Sequence, residues 1–196
     1  MKDQADEQRL MREIMEARDG PYRNSLIDQL DATPVQNLAF WERWLVVHSV
    51  KPFQSCWSER GGFDPSKSRW SREVQILAAT DYAKSEVYNG GFLQLFYNST
   101  GVLAPEMVEF LSRSGLEQAA SVAQEAISTF GAEYPRSQTG RSKALAALPG
   151  SEYEGWDPFN KLDTQFYHAT KRPLFDRAAN NWLKETCGIE RLGDVG

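Results

Sequence analysis

The chain has 196 residues, of which 41% are hydrophobic and 25% charged, enough for one globular domain with its own core. No stretch approaches the 18 consecutive apolar residues that a membrane-spanning helix needs, and no apolar secretory segment follows Met1. Two cysteines and two histidines are too few for a disulfide framework or a cysteine- or histidine-rich metal site. We therefore expect a cytoplasmic protein with reduced thiols and no metal or other cofactor.

Stop signals divide the chain into short helical segments. Thr33 followed by Pro34 fits the start of a helix, Ser71 fits an N-cap, and glycine or proline closes most of the other segments. Apolar residues recur at helical spacing between these signals. Helices are expected over about 3–18, 34–50, 72–88, 92–97, 105–114, 116–130, 160–169 and 173–187.

Two long stretches, 52–70 and 136–159, are rich in proline and glycine and are expected to be irregular, apart from a short helix near 142–148. No segment alternates apolar and polar residues as a half-buried strand does. We therefore predict an all-α fold, a single compact multi-helix domain with two long irregular loops. Residues 1–33 are assigned to a charged N-terminal helix and leader, and residues 34–196 to the helical domain.

Motifs of nucleotide-binding, hydrolytic, zinc and redox sites are absent from the sequence. His48 lies on the apolar face of a predicted central helix, which is more typical of a core histidine than of a catalytic base. We therefore expect a binding protein and not an enzyme.

The most unusual segment is 86–101, which combines three glycines and four aromatic residues with several amides. Its turn formers predict a sharp corner between two helices, with Phe92 and Phe96 packed in the core. A phosphate at this corner is not expected, because no lysine or arginine occurs between Lys84 and Arg113.

This segment resembles the signature of a family of bacterial helical domains best known from a DNA-mimic protein. The segment 162–167, with Asp163, is similar to the closing helix motif of that family, and the resemblance covers about residues 70–186. The resemblance implies a helical domain that can dimerise and whose surface carboxylates occupy the DNA-binding face of a transcription factor. The residues that carry the resemblance, which we interpret as structural, are Asn89, Gly90, Gly91, Phe92, Gln94, Phe96, Asn98, Gly101 and Asp163.

One block of the sequence has the acidic charge that such a function requires. The net charge is −5, and residues 76–135 contain seven acidic and two basic side chains, whereas the segment before this block and the segment after it are nearly neutral. An acidic surface competes for the lysine and arginine clusters that bind DNA phosphates. We predict that these acidic residues form one face that binds a protein partner: Asp81, Glu86, Glu106, Glu109, Glu117, Glu125 and Glu133.

Two other functions are kept as alternatives. The first is an immunity or antitoxin-like protein that neutralises a specific enzyme. The second is a nucleic-acid binder or enzyme that uses the loop 52–72, where aromatic and basic residues alternate in a way that suits single-stranded nucleic acid. Direct binding of nucleic acid is the less expected of these, because Glu59 and Asp64 dilute the positive charge of the loop. The residues of this pattern are Trp57, Arg60, Lys67, Arg69, Trp70 and Arg72.

Overall fold

A computed structural model shows an all-α fold and describes residues 25, 28–39, 42–43, 57–58, 62–68 and 70–194. Its α-helices with defined bounds are α1 (Arg72–Tyr97), α2 (Ala104–Arg113), α3 (Glu117–Ser128), α4 (Gln138–Ala146), α5 (Asn160–Ala169) and α6 (Arg172–Asn181). Shorter turns are the 3₁₀ segments Val35–Asn37, Pro65–Lys67, Ser99–Leu103 and Leu192–Asp194, and the π-helical turn Trp182–Thr186. Strands β1 (Trp57–Ser58) and β2 (Gly62–Phe63) form a two-residue antiparallel pair in which Trp57 lies opposite Phe63.

Helix α1 is the centre of the core. The hydroxyl of Ser71 accepts a hydrogen bond from the Val74 N–H at 3.4 Å, as the predicted N-cap requires. Every residue from 74 to 84 is buried, so this part of α1 has no solvent face. Helices α2, α4 and α5 pack against α1, and α3 packs against α2 and α5.

A kink divides α1 at the predicted interruption. Gly90 has φ −165° and ψ 33°, and Gly91 has φ 74°, a left-handed conformation that favours glycine. The chain changes direction here and continues as a short aromatic arm to Tyr97. The predicted helices 72–88 and 92–97 are therefore the two arms of one kinked helix.

The predicted helix start at Pro34 is wrong. The Thr33 hydroxyl does not cap a helix but donates to the carbonyl of Gln29 at 3.0 Å, and Val35–Asn37 is a 3₁₀ turn. The Glu42 carboxylate accepts from the Ala39 N–H at 2.8 Å, and Glu42 and Arg43 are helical. Most of the predicted helix 34–50, His48 included, lies outside the described residues, as do residues 1–24 of the predicted N-terminal segment.

The segment 34–38 is fixed to the C-terminal part of the chain. The Val35 N–H donates to the Glu190 carbonyl at 2.9 Å, and the Asn180 amide donates to the Leu38 carbonyl at 2.8 Å. Val35 and Leu38 are both buried. These contacts place the segment against α6 and the turn that follows it.

The stretch 136–159 is more ordered than predicted, because α4 occupies 138–146. The Ser137 hydroxyl accepts from the Gly140 N–H at 3.2 Å and caps this helix, which therefore begins four residues before the expected one. The other stretch, 52–70, contains the β1–β2 pair and the turn Pro65–Lys67, and the rest of it lies outside the described residues.

Candidate partner-binding surface and signature segment

The kink of α1 is held by a carboxylate from α5. Asp163 Oδ1 accepts a hydrogen bond from the Phe92 N–H at 2.8 Å. This N–H lies just after the kink, and the first N–H groups of a helix have no backbone acceptor within the helix. A side chain at Gly91 would collide with this carboxylate, so both the left-handed φ and the close approach of Asp163 require glycine. Burial raises the pKa of Asp163, and the Phe92 N–H acts against that rise. Asp163 is thus a buried capping group.

Glu86 connects the two arms of α1. Its Oε2 accepts hydrogen bonds from the Gln94 amide at 2.9 Å and from the Asn98 amide at 2.8 Å. A Cβ at Gly90 would overlap the Gln94 side chain, so the glycine makes room for this network. Asn89 is exposed on the outside of the same bend. Glu86 therefore already has a structural role, and its contact with a partner would compete with the hydrogen bonds from Gln94 and Asn98.

The aromatic residues of the signature segment lie in the core, as predicted. Phe92 and Phe96 are both fully buried, and their rings stack with centroids 5.9 Å apart. The Phe96 ring also makes edge contacts with Phe130 at 4.9 Å and Phe159 at 5.2 Å. This arm of α1 therefore joins the end of α3 to the start of α5.

Arg141 of α4 is a structural residue that the sequence analysis missed. Its guanidinium is fully buried and donates to backbone carbonyls of Phe96 at 3.0 Å, Asn98 at 2.8 Å and Arg136 at 2.7 Å. These carbonyls lie at the end of α1 and in the segment before α4, and the Asn98 carbonyl also accepts from the Gly101 N–H at 3.1 Å. A Cβ at Gly101 would lie 2.6 Å from Arg141 Nε, which explains the glycine at this position.

Asp81 was predicted on the acidic face, and this prediction is wrong. It lies on the buried part of α1 with no exposed surface, and its Oδ2 is 3.5 Å from Arg43 Nε. Burial raises the pKa of Asp81 to about 6, although the charges of Arg43 and Lys84 act in the opposite direction. A residue in this position cannot contact a partner.

Glu106 and Glu109 of α2 already form ion pairs with arginines. Glu106 is buried, and its Oε2 lies 2.7 Å from the Arg136 guanidinium, so its predicted place on an exposed face is also wrong. Glu109 accepts from Arg72 at 2.6 and 2.7 Å and from Arg113 at 2.9 Å. The hydrogen bonds from Arg72 are the main cause of its lowered pKa. A partner's cations would have to displace these arginines.

The other three acidic residues of the block are exposed. Glu117 and Glu125 lie eight residues apart on α3, about 12 Å along the helix axis, and Glu133 follows the helix. None of the three forms an ion pair with a described residue, and the sequence has no lysine or arginine between Arg113 and Arg136. We call Glu117, Glu125 and Glu133 the outer carboxylates, and Asp81, Glu86, Glu106 and Glu109 the internal carboxylates.

Two residues of the aromatic and basic pattern in the loop 52–72, Trp70 and Arg72, are engaged within the protein. Trp70 is buried, and Arg72 is bound to Glu109, so neither side chain is presented as stacking on bases and contacting phosphates would require. Lys67 is exposed and lies 3.8 Å from Asp64. Trp57 takes part in the strand pair, while Arg60 and Arg69 lie outside the described residues.

Among the described residues, no group of three or more histidine, cysteine, aspartate or glutamate side chains is placed to hold a metal ion. The same part of the chain contains no helix long and apolar enough to cross a membrane.

Comparison with known proteins identifies the family. Neither a curated protein nor a solved structure matches the chain. A family model described as DMP19-like protein matches residues 68–186, well over half of the sequence. The matched region contains helices α1 to α6, the kink with Asp163, and the outer carboxylates. The chain therefore belongs to the DMP19-like family, which is named after DNA mimic protein 19.

Proposed function

We propose that this protein is a DNA-mimic-like regulator that binds the DNA-binding surface of a protein partner in the bacterial cytoplasm. The observation that supports this most is the segment between Arg113 and Arg136. It exposes Glu117, Glu125 and Glu133 and contains no basic residue. The family to which the chain belongs supports the same class of function.

The electrostatics of the outer carboxylates suit this function. A DNA-binding surface presents lysine and arginine side chains to phosphates, and it attracts a carboxylate of another protein by the same force. The outer carboxylates have no ion pair within the described part of the chain, so no internal contact has to break when a partner binds. The internal carboxylates differ in this respect, because each already has a cationic or amide partner.

We propose binding and not catalysis as the activity of this surface. The outer carboxylates lie on α3 and on the segment after it, where they are open to water. General acid–base catalysis needs a group held within hydrogen-bonding distance of a bound substrate, usually with a pKa tuned by burial. Solvent-exposed carboxylates on a helix surface suit long-range attraction of a basic partner better.

Competition with DNA tests the proposed function directly. The chain is immobilised and exposed to a lysate of its native host, and captured protein is then challenged with duplex DNA. We expect the captured protein to bind DNA and to be released both by the duplex and by raising the salt from about 0.05 M to about 0.5 M.

A captured protein that stays bound in excess DNA would contradict the mimic mechanism. If that protein were an enzyme whose activity is lost in the complex, the immunity or antitoxin-like alternative would be favoured instead.

A further inference from the structure

A buried arginine from outside the matched family region enters the family domain. Arg43 precedes the matched residues 68–186 by 25 positions and is only 1% exposed. Its guanidinium lies against Asp81 of α1 and against Asp176 and Asn180 of α6. The matched region thus supplies two carboxylates and an amide, and the stretch of chain before it supplies the cation.

The three groups surround the guanidinium on different sides. Arg43 Nη2 lies 3.0 Å from Asp176 Oδ1, and Nη1 donates to Asn180 Oδ1 at 2.8 Å. Arg43 Nε lies 3.5 Å from Asp81 Oδ2, and the guanidinium carbon is 5.8 Å from the centre of the Phe175 ring. A guanidinium is planar and holds its five N–H donors in fixed directions, so it can contact groups on several sides at once. A lysine ammonium lacks this planar set of donors.

Asp81 is incompletely satisfied even with Arg43 in place. It is fully buried, and neither of its carboxylate oxygens has a hydrogen-bond partner among the described residues, nor does Arg43 Nε. Lys84 also attracts this carboxylate, but its ammonium lies over the rings of Tyr88 at 3.9 Å and Phe175 at 4.7 Å. A carboxylate this deeply buried depends strongly on the nearby guanidinium.

Two of the three groups that surround the guanidinium, Asp176 and Asn180, border a surface cavity, whereas Asp81 is fully buried. Asp176 and Asn180 line a surface cavity of about 330 Å³ together with Leu38, Pro173 and Arg177. Two of the groups that hold the guanidinium are therefore also walls of an open cavity. A small cation that enters this cavity meets them without passing through the core.

We propose that Asp81, Asp176 and Asn180 form a guanidinium-binding pocket that Arg43 fills as an intramolecular ligand. The class of ligand is an arginine side chain or another alkylguanidinium. When Arg43 is replaced by alanine, the pocket binds such a cation from solution. The Arg43 side chain, from the stretch before the matched region, therefore occupies a binding site within that region.

Chemical rescue of a full-length Arg43→Ala variant tests this proposal. The variant should unfold roughly 10 °C below the wild type, because removing one partner leaves buried charge uncompensated. N-propylguanidinium at millimolar concentration should raise the Tm of the variant by at least roughly half of the loss. The rise in Tm should saturate as the concentration of the cation increases. n-Propylammonium of equal concentration should recover much less, since it lacks the planar fork.

Two controls make the result specific. The wild type should show no comparable rise in Tm, because Arg43 already occupies the pocket. An Arg43→Ala/Asp176→Ala variant should lose the rescue. If Arg43→Ala is unfolded at 25 °C, the same titration is followed by far-UV circular dichroism, and recovery of the helical signal with the guanidinium alone supports the proposal. Equal rescue by the two cations, or no rescue by either, overturns it.

Discussion

The internal and outer carboxylates belong to one acidic block of sequence, but the fold uses them in opposite ways. The internal carboxylates are buried or bound. Asp81 faces a buried arginine, Glu86 accepts hydrogen bonds from two amides, and the two glutamates of α2 are paired with arginines. The outer carboxylates are exposed on α3 and the segment after it, without an ion pair among the described residues. Net charge per segment therefore does not reveal which acidic residues are free to attract a partner.

The difference follows from the packing of the two regions. Helix α1 is buried on every side over 74–84, so only groups inside the protein can compensate the charge of a polar residue there. Helix α3 buries only its alanine-rich side and leaves the opposite face to water. The same carboxylate is thus a structural group on α1 and a surface charge on α3.

The largest expected effect concerns the core beside the internal carboxylates. Phe96→Ala should lower the free energy of unfolding by about 3–5 kcal/mol, because the fully buried ring packs against Phe130 after α3 and Phe159 before α5. Urea denaturation measures this loss. The neighbouring Tyr97 is 41% exposed, and Tyr97→Ala should cost less than about 1 kcal/mol. Equal costs for the two variants would show that the segment 86–101 does not anchor the core.

A smaller effect compares an internal with an outer carboxylate directly. Glu106→Ala should cost about 1–3 kcal/mol, since it removes a 2.7 Å contact from a buried carboxylate to the half-exposed Arg136. Glu125→Ala should change the free energy of unfolding by less than about 0.5 kcal/mol. Denaturant titrations of both variants at one pH provide the measurement. A cost for Glu125→Ala as large as that for Glu106→Ala would remove the distinction between the two groups.

Asp81 should make the stability of the protein depend on pH in a characteristic direction. Its pKa of about 6 in the folded chain exceeds the ordinary value of 3.8, so the folded state binds the proton more tightly than the unfolded state. The wild type should therefore gain stability relative to Asp81→Asn as the pH falls from about 7 to about 4, by about 2 kcal/mol. Thermal unfolding of both proteins across this range tests the direction. A relative gain with rising pH would contradict the burial of an ionisable Asp81.

Much of the fold is predictable from local signals in the sequence. Ser71 marks the start of α1, glycines mark its kink, and the alternation of aromatic and turn residues predicts that Phe92 and Phe96 are buried. The complete burial of 74–84 was not visible, because this stretch contains Thr80, Asp81 and Lys84 on one side of the helix. Such a polar side predicts a solvent face, so the pattern supported an exposed Asp81, and only the packing of the fold shows otherwise.

Contacts between distant residues were not predictable from one sequence. Arg43 lies 38 positions before Asp81, and Arg141 binds carbonyls more than 40 positions away. Arginine and glutamate have long side chains whose partners depend on how the helices pack, and helical periodicity does not give that packing. For the same reason the pairing of Glu106 with Arg136 could not be read from the spacing of α2.

The most direct test of the proposed surface is charge reversal of the outer carboxylates. The variant Glu117→Lys/Glu125→Lys/Glu133→Lys has a net charge of +1 in place of −5. The matched control, Glu152→Lys/Glu154→Lys/Glu185→Lys, changes three other exposed carboxylates and has the same net charge. Far-UV circular dichroism should show that both variants keep the helical content of the wild type.

The decisive quantity is the Kd for the DNA-binding partner captured by the wild type, measured at about 0.15 M salt. Reversal of the outer carboxylates should weaken binding by at least roughly 100-fold, and the control should weaken it by less than roughly 10-fold. A variant with reversed outer carboxylates that binds as tightly as the control would contradict the account.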